Sequence, residues 1–156
     1  MRNVIITGIP RSGTTLACAL IDSLHDCICL NEPYWQTDAK LDGNPKRLAT
    51  WLQEDFTRVR AQILAGHPLP DRRTPEGKAI TDFFENGKPV ASQQVSLFIR
   101  ENLPPDFTLG MKHNALYLAA LPELARTDHF TIIALIRHPV ATITSWRRLN
   151  LPISEG

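Results

Sequence analysis

A chain of 156 residues, 43% hydrophobic and 21% charged, has the composition of an ordinary globular domain with enough apolar residues for one core, so a single domain over 1–156 is expected. A formal net charge of +1 supplies no long-range field to gather nucleic acid or an anionic membrane, which leaves any anion chemistry to locally placed Arg and Lys. No apolar run approaches the ~20 residues of a membrane helix, and Met1-Arg2-Asn3 runs straight into Val4-Ile5-Ile6 with no room for a signal peptide, so the expected location is cytoplasmic.

In chain order, Asn3 to Thr7 reads as a short buried strand, Gly8 to Gly13 as a tight loop, and Thr14 to Leu24 as a helix with Leu16, Leu20, Ile21 and Leu24 on one face. Ile28 to Leu30 is a candidate second strand, along which Cys27 and Cys29 alternate as strand residues do. With three cysteines in all and no His or Cys pair at zinc spacing, neither a disulfide framework nor a metal site is expected. A polar loop through Asn31, Pro33 and Gly43 leads to Asn44-Pro45, a helix start. Leu48, Trp51, Leu52, Phe56, Val59 and Ile63 form the stripe of that helix.

Gly66 to Pro75 carries Pro68, Pro70, Pro75, Arg72 and Arg73 and reads as a loop, whereas Glu76 to Leu103 fits no single template. Phe107 to Met111 reads as a strand, Asn114 onward as a helix disturbed by Pro122, and Phe130 to Ile136 as an unbroken apolar strand. Such a run suits a central parallel strand covered on both faces. Pro139 then opens a last helix through about Leu149. The alternation implies an α/β fold, a three-layer open parallel sheet with helices on both faces, whose ligands bind beyond the carboxyl ends of the strands.

Gly8-Ile9-Pro10-Arg11-Ser12-Gly13-Thr14-Thr15 has the glycine separation of a phosphate-binding P-loop between a strand and a helix. Inward-turned N–H groups and the positive end of the helix would cradle a phosphate or sulfate. The lysine that follows the second glycine in nucleotide triphosphatases is replaced by Thr14, with a cation at Arg11 instead. The apolar strand ends in Arg137 rather than in an aspartate for Mg²⁺. Both changes argue against Mg·ATP. Arg137 after five apolar residues is expected to be buried and so to need an anionic partner, either a ligand or an internal carboxylate.

Two motifs, Ile9-Pro10-Arg11-Ser12-Gly13-Thr14-Thr15-Leu16 and Arg137-x-Pro-x₅-Ser145, occur in the order and context in which the chain resembles the sulfotransferase family. The first is similar to that family's 5′-phosphosulfate loop, the second to its 3′-phosphate motif. The loop and the Asn31-Glu32-Pro33 turn look more like the carbohydrate, tyrosyl-protein and bacterial branches than the small-phenol branch. The resemblance implies 3′-phosphoadenosine 5′-phosphosulfate as donor, with Arg11, Ser12, Gly13, Thr14 and Thr15 on its 5′-phosphosulfate and Arg137 and Ser145 on its 3′-phosphate. It implies no metal, and an acceptor hydroxyl on a sugar, peptide or small molecule. Family members continue past the second motif into another helix and a basic, Gly-containing loop, whereas this chain stops at Gly156. The expectation is therefore the N-terminal portion of a longer family domain, incomplete at its C-terminus.

Sulfuryl transfer needs in-line positioning, charge stabilisation on the leaving phosphate and a base. Arg11 answers the second need. Lys112, at the end of a strand, matches a family lysine that contacts the transferred group. Glu32 resembles the acidic residue that takes the acceptor's proton, and His113 is the competing base. Two rival functions remain open on the sequence: a small-molecule kinase or nucleotidase on the same fold, and a non-catalytic nucleotide-binding remnant. Tyr34, Trp35 and the Pro-rich arginine loop are candidate acceptor-pocket residues.

Overall fold

The computed structural model describes residues 2–33, 44–86, 88–97 and 103–149. In chain order its elements are β1 (Arg2–Gly8), α1 (Thr14–Asp22), β2 (Cys27–Asn31), α2 (Pro45–Leu64), β3 (Leu69–Arg73), β4 (Phe84–Glu85), β5 (Lys88–Pro89), β6 (Gln93–Leu97), β7 (Thr108–Lys112), α3 (Asn114–Leu124), β8 (Thr131–Leu135) and α4 (Pro139–Arg148). Four strands pair in parallel in the order β2-β7-β1-β8. The expected α/β architecture is the one found.

Strand alternation sorts side chains onto two faces. Ile5, Ile28, Leu30, Leu109 and Met111 point into the larger core with Leu52, Phe56 and Val59 of α2 and Tyr117 and Ala120 of α3. Val4, Ile6 and Cys29 point the other way, onto Cys18 of α1. Helices therefore cover both faces. Asn44 caps α2, its Oδ1 accepting from the Lys46 and Arg47 amides at 3.0 and 3.3 Å, and Pro139 occupies the first turn of α4, where no N–H is needed.

Three expectations change. The α1 stripe is reversed, because Leu16, Leu20 and Leu24 are exposed and the sheet is met by Thr14, Thr15 and Cys18, with Ala17 and Ile21 partly buried. Tight approach of the helix to the strands favours these small residues over leucine. The apolar β8 is not central: it sits at the end of the strand order, its residues partly buried or exposed. The stretch read as a loop contains β3, which pairs antiparallel with β6, while β4 and β5 form a short hairpin in the segment that fitted no template.

The β3 strand is fixed to β2 by side chains rather than by a ladder. Asp71 Oδ1 accepts from the Asn31 amide at 2.6 Å, Asp22 Oδ1 accepts from the Cys29 amide at 3.0 Å, and the Asn31 side-chain amide donates to the Arg72 carbonyl at 3.3 Å. Arg73 sits between the carboxylates, with Nε 2.7 Å from Asp71 and Nη2 3.1 Å from Asp22. Burial pushes the Asp71 carboxyl up to about 6 against the pull of Arg73 and the Asn31 amide. This cluster holds the end of β2, and with it the residue that follows, Glu32. Arg73→Met would take the cation from the buried Asp71 carboxylate and should cost about 3–5 kcal/mol of stability at pH 7, read from the urea midpoint. Protonation relieves an unpaired buried carboxylate, so the loss should shrink when the same titration is run at pH 5; a loss independent of pH would assign the effect to packing alone.

Candidate functional site

Because the sheet is parallel, β1, β2, β7 and β8 all end at one edge, where every polar motif lies. A cavity of about 860 Å³ there is lined by the loop from Pro10 to Leu16, by Glu32 after β2, by Lys112 and His113 at the end of β7, and by Arg137 after β8. Arg72, Asp82, Phe83 and Phe84 from the β3–β4 region line it as well. A second cavity of about 620 Å³ is lined by Arg11, Asp82, Phe84, Arg137, Ser145 and Arg148, among others.

The loop after β1 has the shape an anion needs. At Gly8, with φ 154°, an added Cβ would collide with the Leu135 carbonyl and lie 2.7 Å from Ser12 Oγ, so only glycine fits between β1 and β8. Gly13, with φ 97°, stands in open space as the N-cap of α1 and offers no side-chain cap, which leaves the first-turn N–H groups facing the cavity mouth. Ser12 Oγ is buried with no hydrogen-bond partner among the described residues. A buried hydroxyl without a partner beside open amides is a donor set awaiting an acceptor.

Arg11, itself at φ 74°, is the hinge between the cavities. Its guanidinium grips Asp82 at 2.6 and 3.1 Å, its Nε donates to Ser145 Oγ at 3.2 Å, and its plane lies 5.3 Å from the Phe84 ring centre. The hydrogen bond from Arg11 holds the Asp82 carboxyl below its ordinary range. Arg137 is exposed rather than buried; among the described residues it pairs with no carboxylate and donates to the Arg11 carbonyl at 3.3 Å. The expectation that its strand would bury it is corrected, because β8 lies at the rim. Trp146 Nε1 donates to the Pro10 carbonyl at 2.9 Å and ties α4 to the loop, so the two motifs meet.

Glu32 and Lys112 are opposed across the β2–β7 register, in which Asn31 lies beside Lys112. Lys112 is 1% exposed and its Nζ donates to Glu32 Oε1 at 2.6 Å; it is neither a surface lysine nor a partner for solvent. Arg72 Nη1 donates to Glu32 Oε2 at 2.8 Å. Burial pushes the Glu32 carboxyl up, but the Lys112 ammonium and the Arg72 guanidinium outweigh it and hold it below the usual carboxylate range. The backbone of Glu32 has φ 50°, a left-handed conformation that its amide supports by donating to the Lys112 carbonyl at 2.9 Å.

His113 is committed elsewhere. Its Nδ1 accepts from the Leu116 amide at 3.2 Å as the N-cap of α3, so the neutral ring carries its proton on Nε2 and presents a donor, not a base. Burial, partly offset by Glu32, holds the imidazole below its usual value and keeps that neutral form.

All the expected site residues thus reach one edge: Ser12, Gly13, Thr14, Thr15, Glu32, Lys112 and His113 line the first cavity, Ser145 the second, and Arg11 and Arg137 both. Of the Pro-rich arginine loop offered as a pocket lining, Arg72 reaches the first cavity, whereas sequence reasoning missed Asp82, Phe83, Phe84 and Arg148. Tyr34 and Trp35 lie outside the described residues. Among the described residues no group of three or more His, Cys, Asp or Glu could hold a metal ion, and no helix is long and apolar enough to cross a membrane.

No curated protein and no solved structure gives a significant match to this chain. A family model does: the one described as "Sulfotransferase family" matches residues 3–151, nearly the whole chain and both motifs of the site. The chain belongs to the sulfotransferase family.

Proposed function

We propose that the chain transfers a sulfuryl group from 3′-phosphoadenosine 5′-phosphosulfate to an acceptor hydroxyl, with Glu32 as the base. The observation that carries this reading is the buried Lys112–Glu32 pair on the wall of the same cavity as the unpartnered Ser12 Oγ and the open first turn of α1. An anion cradle and a carboxylate–ammonium pair on one wall are what transfer of an anionic group to a hydroxyl requires. The donor, when bound, supplies the sulfuryl group and a phosphate leaving group. The loop N–H groups, Ser12 Oγ and the Arg11 guanidinium suit the 5′-phosphosulfate, while Arg137, Ser145 and Arg148 around the second cavity suit the 3′-phosphate. Lys112 is within reach of both Glu32 and the cavity. Glu32 is the better base than His113, whose basic nitrogen caps α3. The Asn31-Glu32-Pro33 turn favours acceptors of the carbohydrate, peptide or bacterial branches, and the work is assigned to the cytoplasm.

The 3′-phosphate assignment predicts that 3′,5′-ADP binds more tightly than 5′-AMP by about 10–100-fold, the worth of one or two charge-assisted hydrogen bonds. Arg137→Ala should remove most of that preference in titration calorimetry; equal affinity of the unaltered protein for both nucleotides would withdraw the assignment. Asp82 competes with phosphate for Arg11, so Asp82→Asn should tighten 3′,5′-ADP binding by up to about fivefold, the scale of a partly exposed ion pair. Weaker binding would instead mean that Asp82 holds Arg11 in its working pose.

Glu32→Gln should lower turnover by about 10²–10⁴-fold with 3′,5′-ADP affinity nearly unchanged. Because its cations hold Glu32 below the ordinary carboxylate range, the acidic limb of the kcat/KM profile should fall below about pH 4.3, leaving the rate flat from pH 5 to 7. A limb above the ordinary glutamate range yet below the ordinary histidine range would transfer the role of base to His113, whose burial holds it low.

A further inference from the structure

Glu32 is contacted by two cations, one on each carboxylate oxygen, and only one of them is explained by the transfer reaction. Lys112 Nζ donates to Oε1 at 2.6 Å, Arg72 Nη1 to Oε2 at 2.8 Å. Arg72 comes from β3, outside the parallel sheet and outside both motifs. Its guanidinium is fixed on two further sides: Nε donates to Ser92 Oγ at 3.2 Å, and its face lies 4.4 Å from the centre of the Phe83 ring. The same ring lies 5.1 Å from Lys112 Nζ, so one aromatic face covers both cations of the pair. Among the described residues, the charged and titratable groups around the Glu32 carboxylate are Arg72 on β3, Lys112 on β7 and the neutral His113, on which the Glu32 charge acts.

From this arrangement we infer that Arg72 is a positioning residue for the transfer reaction, dividing the labour at Glu32 with Lys112: Arg72 holds Oε2 throughout, and Lys112 yields Oε1 to the acceptor hydroxyl. This rests on the reading of Glu32 as the base. With one cation on each oxygen the carboxylate keeps further lone pairs but is held weakly basic, so Oε1 becomes an effective base only when its ammonium moves away. An ammonium on a flexible stem can swing to a new anion, whereas a guanidinium locked by Ser92 and Phe83 cannot. When the acceptor oxygen attacks sulfur, its proton passes to Oε1. The acceptor oxygen–sulfur bond forms, the bond from sulfur to the bridging phosphate oxygen breaks, and that electron pair stays on the phosphate of the leaving 3′,5′-ADP. Lys112, freed from Oε1, meets the sulfuryl oxygens. Arg72 keeps the carboxylate from turning away, a task sharpened by the left-handed backbone of Glu32, which alone does not define where the side chain points.

The test combines Arg72→Gln and Arg72→Lys with three measurements: titration of the Glu32 carboxyl by carbon NMR on glutamate-labelled protein, 3′,5′-ADP calorimetry, and sulfuryl transfer. Expected for Arg72→Gln are a Glu32 titration moved upward by about one pH unit, kcat lowered by about 10–100-fold, and nucleotide affinity within twofold of the unaltered protein. Arg72→Lys restores the titration more fully than kcat, since it returns the charge without the fork. A Glu32 titration unmoved in Arg72→Gln overturns the inference, as does a fall of nucleotide affinity in parallel with kcat, the mark of a general loss of structure. Failure of the underlying reading looks different: the unaltered protein then neither binds 3′,5′-ADP nor transfers sulfuryl, while the carboxyl titration still reports whether Arg72 holds Glu32.

Discussion

A lysine sealed from solvent must have a counter-charge, and the requirement placed on Glu32 by Lys112 organises this edge of the sheet. Burying an ammonium costs several kcal/mol unless a carboxylate meets it in good geometry. Parallel pairing puts the end of β2 beside the end of β7, but a strand continuing in extended conformation would carry residue 32 past Lys112. The chain instead turns at Glu32 with a positive φ, and the Glu32 amide and side chain both return to Lys112, one on its carbonyl and one on its ammonium. The Asp22–Arg73–Asp71 cluster fixes the strand on the residues just before that turn. Fold and chemistry meet here in one ion pair.

Around the anion cradle the charges are deliberately unbalanced. Among the described residues, Arg11, Arg137 and Arg148 line the second cavity against one carboxylate, Asp82, while the chain as a whole carries +1. Local excess of one sign in a concave site raises the local concentration of small ions of the opposite sign, whatever the net charge of the whole chain. Asp82 offsets part of the excess, and the Arg11 guanidinium lies 5.3 Å from the centre of the Phe84 ring. The arginine is thereby kept extended across the mouth, where its Nε already touches Ser145 Oγ.

The parts of the site that were legible in the sequence are those whose chemistry is local. The Gly8 and Gly13 spacing, Glu32 and Lys112 after short strands, and Arg137 with Ser145 each sit within a few residues of a strand end, and a parallel sheet gathers strand ends by construction. Arg72 was legible only as part of an arginine loop, because β3 is joined to the sheet through buried side chains and carries Pro70 and paired arginines, a composition shared with loops, and Asp82 falls in the stretch that fits no single template. The α1 stripe misled for a related reason: helical periodicity tells which residues share a face, not which face meets the sheet, and here the close approach demands Thr14, Thr15 and Cys18. The apolar run of β8 suggested a covered strand, yet only its β1 side is paired among the described residues.

The two candidate bases illustrate why geometry decides where residue type cannot. By ordinary basicity His113 is the stronger candidate, being closer to neutrality than a carboxylate held low by two cations. Basicity, however, is useful only on an atom that faces the substrate, and the Leu116 amide has already taken Nδ1 for the start of α3. Removing that cap to free the ring would cost the helix about 1 kcal/mol, and the helix packs through Tyr117 and Ala120 into the larger core. Glu32 has the opposite profile: it is weakly basic at rest, yet its basicity rises the moment Lys112 moves away from Oε1. On the proposed reading, the carboxylate would gain strength as a base in the same motion that would bring the ammonium toward the transferring group, so that activation of the acceptor and stabilisation of the transferred charge would be one event.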